Sequence, residues 1–277
     1  MPGDTRQNVE HHYSLNELLD SILRALAATG KDIDSLVPAD LAPVDEFHIR
    51  GLEATRELAA RTGIDAGMRV LDVGCGIGGS ARHLAAERGC HVTGIDLTRD
   101  YIEVATALAE RTGLANRVTF DHGSATELPY EPDSFDIVWT EHVQMNIANK
   151  AAFYGEIARV LKPGGHLLFH DIFSSGGSEP WYPVPWAGDT SISFLARADT
   201  LPDILETAGL QMLEWEDRSE DSLAWFRNVV ARVRAHGPTP LGLHLLMGAS
   251  ALPKFENLIR NLQESRITVI QSVAVRT

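Results

Sequence analysis

Apolar positions in the first sixty or so residues recur at three- and four-residue spacing. Leu15, Leu18, Leu19, Ile22, Leu23 and Leu26 share one face, which predicts an amphipathic helix. Ser14 is placed to cap it, Glu17 stands three residues on as in a capping box, and Gly30 is placed to stop it. Pro38 and Pro43 punctuate the next stretch, and a second helix is expected from Glu46 to Thr62, ending at Gly63.

From Met68 the period changes. Short β-branched runs at Arg69–Val73, His91–Asp96, Val118–Asp121, Phe135–Trp139 and His166–Phe173 read as strands. Between them Ser80–Arg88, Asp100–Thr112 and Lys150–Leu161 read as helices, the first two closed by Gly89 and Gly113, and Pro163-Gly164-Gly165 reads as a turn. Strands alternating with helices of this length mean βαβ units, a parallel sheet and right-handed crossovers, hence a doubly wound, Rossmann-like α/β fold. Regularity breaks at Ser174. The stretch 174–199 is rich in Gly, Pro, Trp and Tyr, too aromatic for a plain linker. Helices at Thr200–Ala208, Asp221–His236 and Ala251–Gln263 and strands at Gln211–Glu216 and Ile267–Val275 follow. The organisation expected is an N-terminal helical lid over 1–62 and a core over 63–277 that carries the aromatic insertion.

Composition narrows the function. Lys plus Arg number 24 against 38 Asp plus Glu, a net charge of −14. A surface this acidic repels phosphate backbones and anionic lipids, so neither nucleic acid nor membrane is an expected partner. Hydrophobic residues make up 44%, enough for a sizeable core. No uncharged apolar stretch reaches the roughly 18 residues needed to cross a bilayer, and the first residues lack the apolar segment of a secretory signal. Two cysteines, Cys75 and Cys90, build neither a disulfide framework nor a structural zinc site. A cytoplasmic protein, monomeric or homodimeric, is expected.

The most informative segment runs from Val70 to Ser80, VLDVGCGIGGS, between a strand and a helix. Glycines there let a ligand approach the backbone, and the helix start presents unpaired N–H groups. A dinucleotide would place pyrophosphate there and an acid at the end of the second strand, where Asp96 stands. S-adenosylmethionine needs an acid for its ribose too, so Asp96 serves either ligand. Asp72, at the end of the first strand, separates them. A carboxylate there would crowd a pyrophosphate and suit a ligand carrying an ammonium and a sulfonium. Opposite charges about 4 Å apart are worth about 4 kcal/mol at an effective dielectric near 20.

Four segments in order resemble class I S-adenosylmethionine-dependent methyltransferases: VLDVGCGIGG at 70–79, GIDL at 94–97, GSATELPY at 123–130 and RVLKPGG at 159–165. The resemblance implies a seven-stranded sheet of order 3-2-1-4-5-7-6 with the last strand antiparallel. It implies that Asp72, Gly74, Gly76 and Gly78 line the methionine half of the cofactor and Asp96 its ribose. Leu97 would pack on the adenine, Ser124 and Ala125 would flank its amino group, and Tyr13 would reach the methionine carboxylate. Many relatives carry Asp where Ser124 stands. Three further segments, Leu41–His48, Glu141–Ile147 and Trp181–Ala187, look like the sarcosine/dimethylglycine N-methyltransferase-type subgroup. The implied reaction is methyl transfer to a small-molecule acceptor, an amine such as sarcosine or dimethylglycine first. O- or C-transfer to a natural product or quinone, and a non-catalytic cofactor-binding protein, are the alternatives.

In an open parallel sheet ligands bind beyond the carboxyl ends of the strands, so Thr140 to Asn146 and His170-Asp171 are expected beside the methyl group. Thr140 is expected against the cofactor. His142 is the candidate base, and Asp171 would orient it or bind a substrate cation. Gln144, Met145 and Asn146 are candidate substrate contacts. Trp181, Tyr182 and Trp186 would offer aromatic faces to a cation. His11, His12 and His48 have no spaced partners that would build a metal site, and no metal is expected.

Overall fold

The computed structural model of the chain describes residues 2–13 and 17–277. Ser14 and Leu15, expected as cap and first apolar position of the first helix, lie outside the described residues. In chain order the elements are α1 Pro2–Tyr13, α2 Leu18–Ala28, α3 Pro38–Asp45, α4 Leu52–Ala59, β1 Arg69–Val73, α5 Gly79–Arg88, β2 His91–Asp96, α6 Arg99–Arg111, β3 Val118–His122, β4 Phe135–Glu141, α7 Lys150–Val160 and β5 Leu161–Ser174. They continue as α8 Leu201–Thr207, β6 Leu210–Asp217, α9 Ser219–His236, α10 His244–Met247, α11 Ala251–Gln263 and β7 Ile267–Arg276.

The seven strands lie in the order β3-β2-β1-β4-β5-β7-β6. The first five are mutually parallel, and β7 runs antiparallel to both β5 and β6. This is the sheet that the family resemblance implies. Neighbouring residues on the central strands go to opposite faces, as the pleat demands. Leu71, Val138 and Leu167 pack with Phe153, Ile157 and Leu205 on one side. Val70, Ile137 and Leu168 pack with Leu58, Ala81 and Leu84 on the other. A parallel sheet covered on both faces reads as continuous apolar runs, which is why the strands were legible. The Pro163-Gly164-Gly165 turn is a bulge inside β5: pairing with β4 passes from Phe135↔Leu161 directly to Ile137↔His166.

The N-terminal region departs from expectation. Glu17, expected as a capping-box residue inside the first apolar helix, instead directly precedes α2 with φ 61° and no side-chain capping bond. No helix runs from Glu46 to Thr62. Pro38 starts the short helix α3 from its first turn, and the chain then leaves helical geometry until Leu52. Arg50 and Gly51 both take positive φ there, 70° and 51°. Glu46, His48 and Arg50, all polar, are buried in this break, each at 8% exposure or less. A regular helix would carry such residues around its surface; the break turns them inward together. Leu18, Ile22 and Leu26 of α2 bury against Leu41, Val44 and Leu108, so the amphipathic reading of that helix holds over its described part. The segment is fastened to the core by a buried ion pair, Arg82 Nη2 to Asp45 Oδ1 at 2.5 Å.

Candidate active site

One cavity of about 670 Å³ opens at the carboxyl ends of β1, β2 and β4. It lies where the strand order reverses between β1 and β4, the place where such sheets take ligands. The glycine loop forms one wall. Gly74 and Gly76 both have positive φ, 74° and 54°. A Cβ on Gly74 would stand 2.3 Å from Val143 Cγ2, whereas one on Gly76 meets nothing within 4 Å. Gly74 is therefore a packing glycine, and Gly76 is the point where backbone is bare to a ligand. Gly78, expected at the cofactor, faces away: a Cβ there would meet Phe120 at 2.5 Å, and the residue is outside the cavity wall.

Two carboxylates line the floor. Asp96 accepts from the Gly76 and Thr98 amides at 2.9 and 2.8 Å, yet burial still raises its pKa. Asp72 is 2% exposed and its Oδ2 has no partner. Burial, then the charges of Glu141 and Asp96, push its pKa well above the usual carboxylate range. A buried, unpaired carboxylate oxygen is costly unless a cation or donor meets it. Tyr101 also lines the cavity with a buried, unpartnered hydroxyl, and it was not foreseen. An orphan acceptor and an orphan hydroxyl beside a bare glycine fit an amino-acid end carrying an ammonium, a carboxylate and a sulfonium. Leu97, Ser124 and Ala125 also line the cavity. Ser124 Oγ is tied into its own turn by Thr126, at 3.0 Å from Thr126 Oγ1.

The β4 end carries the second half of the site. His142 lines the cavity in a left-handed conformation, φ 53°. Non-glycine residues take that conformation at a cost and only when the surroundings hold them. Asp171 supplies the hold: its Oδ2 accepts from the Val143 and Gln144 amides, both at 3.0 Å, and its Oδ1 from Ile172 at 2.8 Å. Asp171 is 1% exposed and outside the cavity wall, so the expectation that it touches reactants is corrected. It is a positioning residue for the His142 turn; burial raises its pKa to about 6 against those three bonds. The His142 ring stacks on His170, centroids 5.3 Å apart. Burial, then His170 and His48, hold its pKa well below 6.5. Its Nε2 lies 3.5 Å from the Ile49 amide, the outer limit of a hydrogen bond.

Several expected contacts are spent elsewhere. Gln144 is fully buried, outside the wall, and donates to the Ile172 carbonyl. Thr140 is buried behind the cavity, not against it. Asn146 reaches the wall, but its amide is committed: Nδ2 donates to the Trp186 and Ile192 carbonyls, and Oδ1 accepts from Tyr13. Trp181 does hold cations, though not in the cavity. Arg260 and Arg266 stack on its ring at 3.8 and 4.5 Å, and its Nε1 donates to Glu264. Tyr182 packs beneath the same loop and also misses the wall. Trp186 and Met145 do line the cavity.

The remaining wall was not foreseen. Trp225 and Phe226 of α9, Leu243 and Leu246 around α10, and Phe255 and Leu258 of α11 close the cavity with Phe47 and Ile49. The apolar run Leu241–Leu252 signalled burial, but nothing in it specified against what. His48 is also placed differently from expectation: the fold sets Glu46 and Glu141 beside it.

A family model described as a methyltransferase domain matches residues 64–186. Over 221 residues the chain is 34% identical to Methyltransferase GfsG of Streptomyces halstedii, covering 79% of this chain and 77% of that one. It is 30% identical over 178 residues to a glycine/sarcosine/dimethylglycine N-methyltransferase of Actinopolyspora halophila, covering 64% of this chain and 32% of the relative's length. Among solved structures, geranyl diphosphate C-methyltransferase from Streptomyces coelicolor, in complex with S-adenosyl-L-homocysteine, superposes with a TM-score of 0.71. That likeness covers 99% of this chain and 98% of the other at 15% identity, and at that identity it speaks for the fold alone.

Proposed function

The chain belongs to the class I S-adenosylmethionine-dependent methyltransferases, and from that premise we propose that it methylates a bulky, uncharged, largely apolar acceptor at a hydroxyl oxygen, with His142 taking the proton. The cofactor supplies a methyl group on a positively charged sulfur. Everything else falls to the chain: bind, orient, exclude water and remove a proton. Asp72 and Tyr101 offer the amino-acid end of the cofactor its partners, and Asp96 the ribose.

The observation that carries the reading is the chemistry of the cavity's second half. Met145, Ile172, Trp186, Trp225, Phe226, Leu246, Phe255 and Leu258 surround it. Among the described wall residues Arg6 alone is a Lys or Arg, and it sits at the adenine side, bonded to Thr126. An N-methylated glycine carries a carboxylate that would enter this wall without a partner, at a desolvation cost of several kcal/mol. Of the three aromatics expected to face a cation, Trp181 and Tyr182 lie outside the cavity, while Trp186 lines it with Trp225, Phe226 and Phe255. A hydroxyl on an apolar skeleton avoids the cost of burying that carboxylate, and it needs the base that a neutral amine does without. His142, on the strained turn at the end of β4, reaches the wall where that proton would leave.

The test is turnover with labelled S-adenosylmethionine across hydroxylated macrocycles, phenols, sterols, sarcosine and dimethylglycine. Transfer to a hydroxylated apolar compound, with kcat cut about 10²–10⁴-fold in His142→Ala, supports the assignment. Transfer to sarcosine or dimethylglycine without apolar acceptors would overturn it.

A further inference from the structure

Behind the methionine end of the cavity, lone pairs from four side chains converge on one point. Glu46 and His48 come from the break between α3 and α4, Thr55 from α4 and Glu141 from the end of β4. His48 Nε2 is 3.5 Å from Glu46 Oε2 and 3.3 Å from Glu141 Oε1. Thr55 Oγ1 is 3.2 Å from Glu46 Oε2, 3.1 Å from His48 Nε2 and 3.2 Å from Glu141 Oε1. The ligand atoms of Glu46, His48 and Glu141 all lie within 4.8 Å of one another. All four residues are buried.

With both glutamates ionised, protons are too few for this arrangement. The Thr55 hydroxyl has one hydrogen for the carboxylate oxygens around it, and His48 Nε2 has at most one for Glu46, Glu141 and the Gly51 carbonyl 3.1 Å away. Neither glutamate pairs with a Lys or Arg among the described residues; Arg82, nearby, is taken by Asp45. The other oxygen of Glu141 is meanwhile held by Ser80 Oγ at 2.6 Å and Trp139 Nε1 at 2.9 Å. That leaves Oε1 aimed at the cluster, the way outer partners orient a metal ligand. Five edges of 3.1–3.5 Å, with the Glu46–Glu141 edge within 4.8 Å, enclose a centre about 2.0–2.4 Å from each vertex, near the range of Zn²⁺ bonds to nitrogen and oxygen.

We propose that Glu46, His48, Glu141 and the Thr55 hydroxyl form a binding site for one divalent transition-metal ion of the zinc type. The imidazole among the ligands selects such an ion over Mg²⁺ or Ca²⁺, which prefer all-oxygen sites. The ion enters from the cavity, since His48, Glu141 and Ser80 all reach its wall. It neutralises two buried carboxylates and joins the 46–55 segment to the strand end that carries His142. Its role is structural, and it stands whichever acceptor the enzyme takes.

Chelator-treated full-length protein titrated with Zn²⁺ should bind one equivalent, with a rise in Tm. Co²⁺ in its place should give the intense visible bands of a four-coordinate ion. Glu46→Gln and His48→Gln, checked for folding by circular dichroism, should each lose the Co²⁺ bands and the Tm rise. Zinc binding that survives in both variants puts the ion elsewhere and overturns the proposal. A wild-type Co²⁺ spectrum that is absent, or weak as for six-coordinate Co²⁺, overturns it even if neither variant folds.

Discussion

Tyr13 Oη donates to Asn146 Oδ1 at 3.0 Å and so joins the first helix of the N-terminal segment to the turn after β4. Asn146 in turn holds the Trp186 and Ile192 carbonyls at 2.9 and 2.8 Å. One amide thus fastens α1, the His142 turn and the aromatic loop. Tyr13→Phe removes one of these bonds, about 1 kcal/mol. It should raise the KM for S-adenosylmethionine about fivefold with little change in Tm. Asn146→Ala leaves two carbonyls and a hydroxyl unpaired and should cost about 1–3 kcal/mol in urea denaturation. A fully wild-type profile for Asn146→Ala would remove this residue from the closure of the site.

The two loop glycines should separate stability from binding. Gly76→Ala adds a Cβ into open space at positive φ, a cost of about 1 kcal/mol in stability. It fills the point of ligand approach, so cofactor affinity measured by calorimetry should fall at least tenfold. Gly74→Ala drives a Cβ into Val143 and should cost about 2–4 kcal/mol in urea denaturation. Equal effects of the two on binding and stability would contradict the assignment of Gly76.

Cofactor binding should release a proton. In the free protein burial and neighbouring carboxylates hold Asp72 protonated above the usual range. A sulfonium or ammonium beside it favours the charged form, so its pKa falls on binding. Affinity should therefore rise with pH, through the window between the lowered and the raised pKa, and level off above the raised one. Calorimetry from about pH 5 to about pH 8, in buffers of different ionisation enthalpy, measures both. Asp72→Asn should abolish the release and weaken binding on the order of 10–100-fold. Proton uptake on binding would reverse the sign and refute the pairing.

Asp171→Asn tests positioning against contact. The amide can replace one carboxyl oxygen but not accept all three backbone N–H bonds, so the His142 turn loosens. We expect a loss of about 2–3 kcal/mol in stability. kcat should fall at least tenfold while the KM for cofactor moves little. A change confined to KM would mean that Asp171 touches a ligand directly.

Much of this protein was legible one residue at a time. The strands and helices were legible from apolar runs, because a buried parallel sheet needs continuous apolar strands and its ligand loop needs glycine; the strand order and the antiparallel last strand came from the family resemblance that the four ordered segments carry. The two carboxylates of the cavity floor, Asp72 and Asp96, were legible because strand ends and glycine loops are local in sequence. Tertiary packing decided the rest. Gln144 and Thr140 sit next in sequence to wall residues, yet each is turned away, because side chains on successive positions face different ways; Trp181 and Tyr182 lie in the same loop as Trp186 and also miss the wall. Leu246, Phe255 and Trp225, more than 70 residues beyond His142, close the apolar part of the cavity, and an apolar residue does not encode its partner. Glu46, His48, Thr55 and Glu141 are spread over nearly a hundred positions. Only the broken helix after Asp45 brings their lone pairs to one point, since burying polar groups together is a property of the fold and of no single segment.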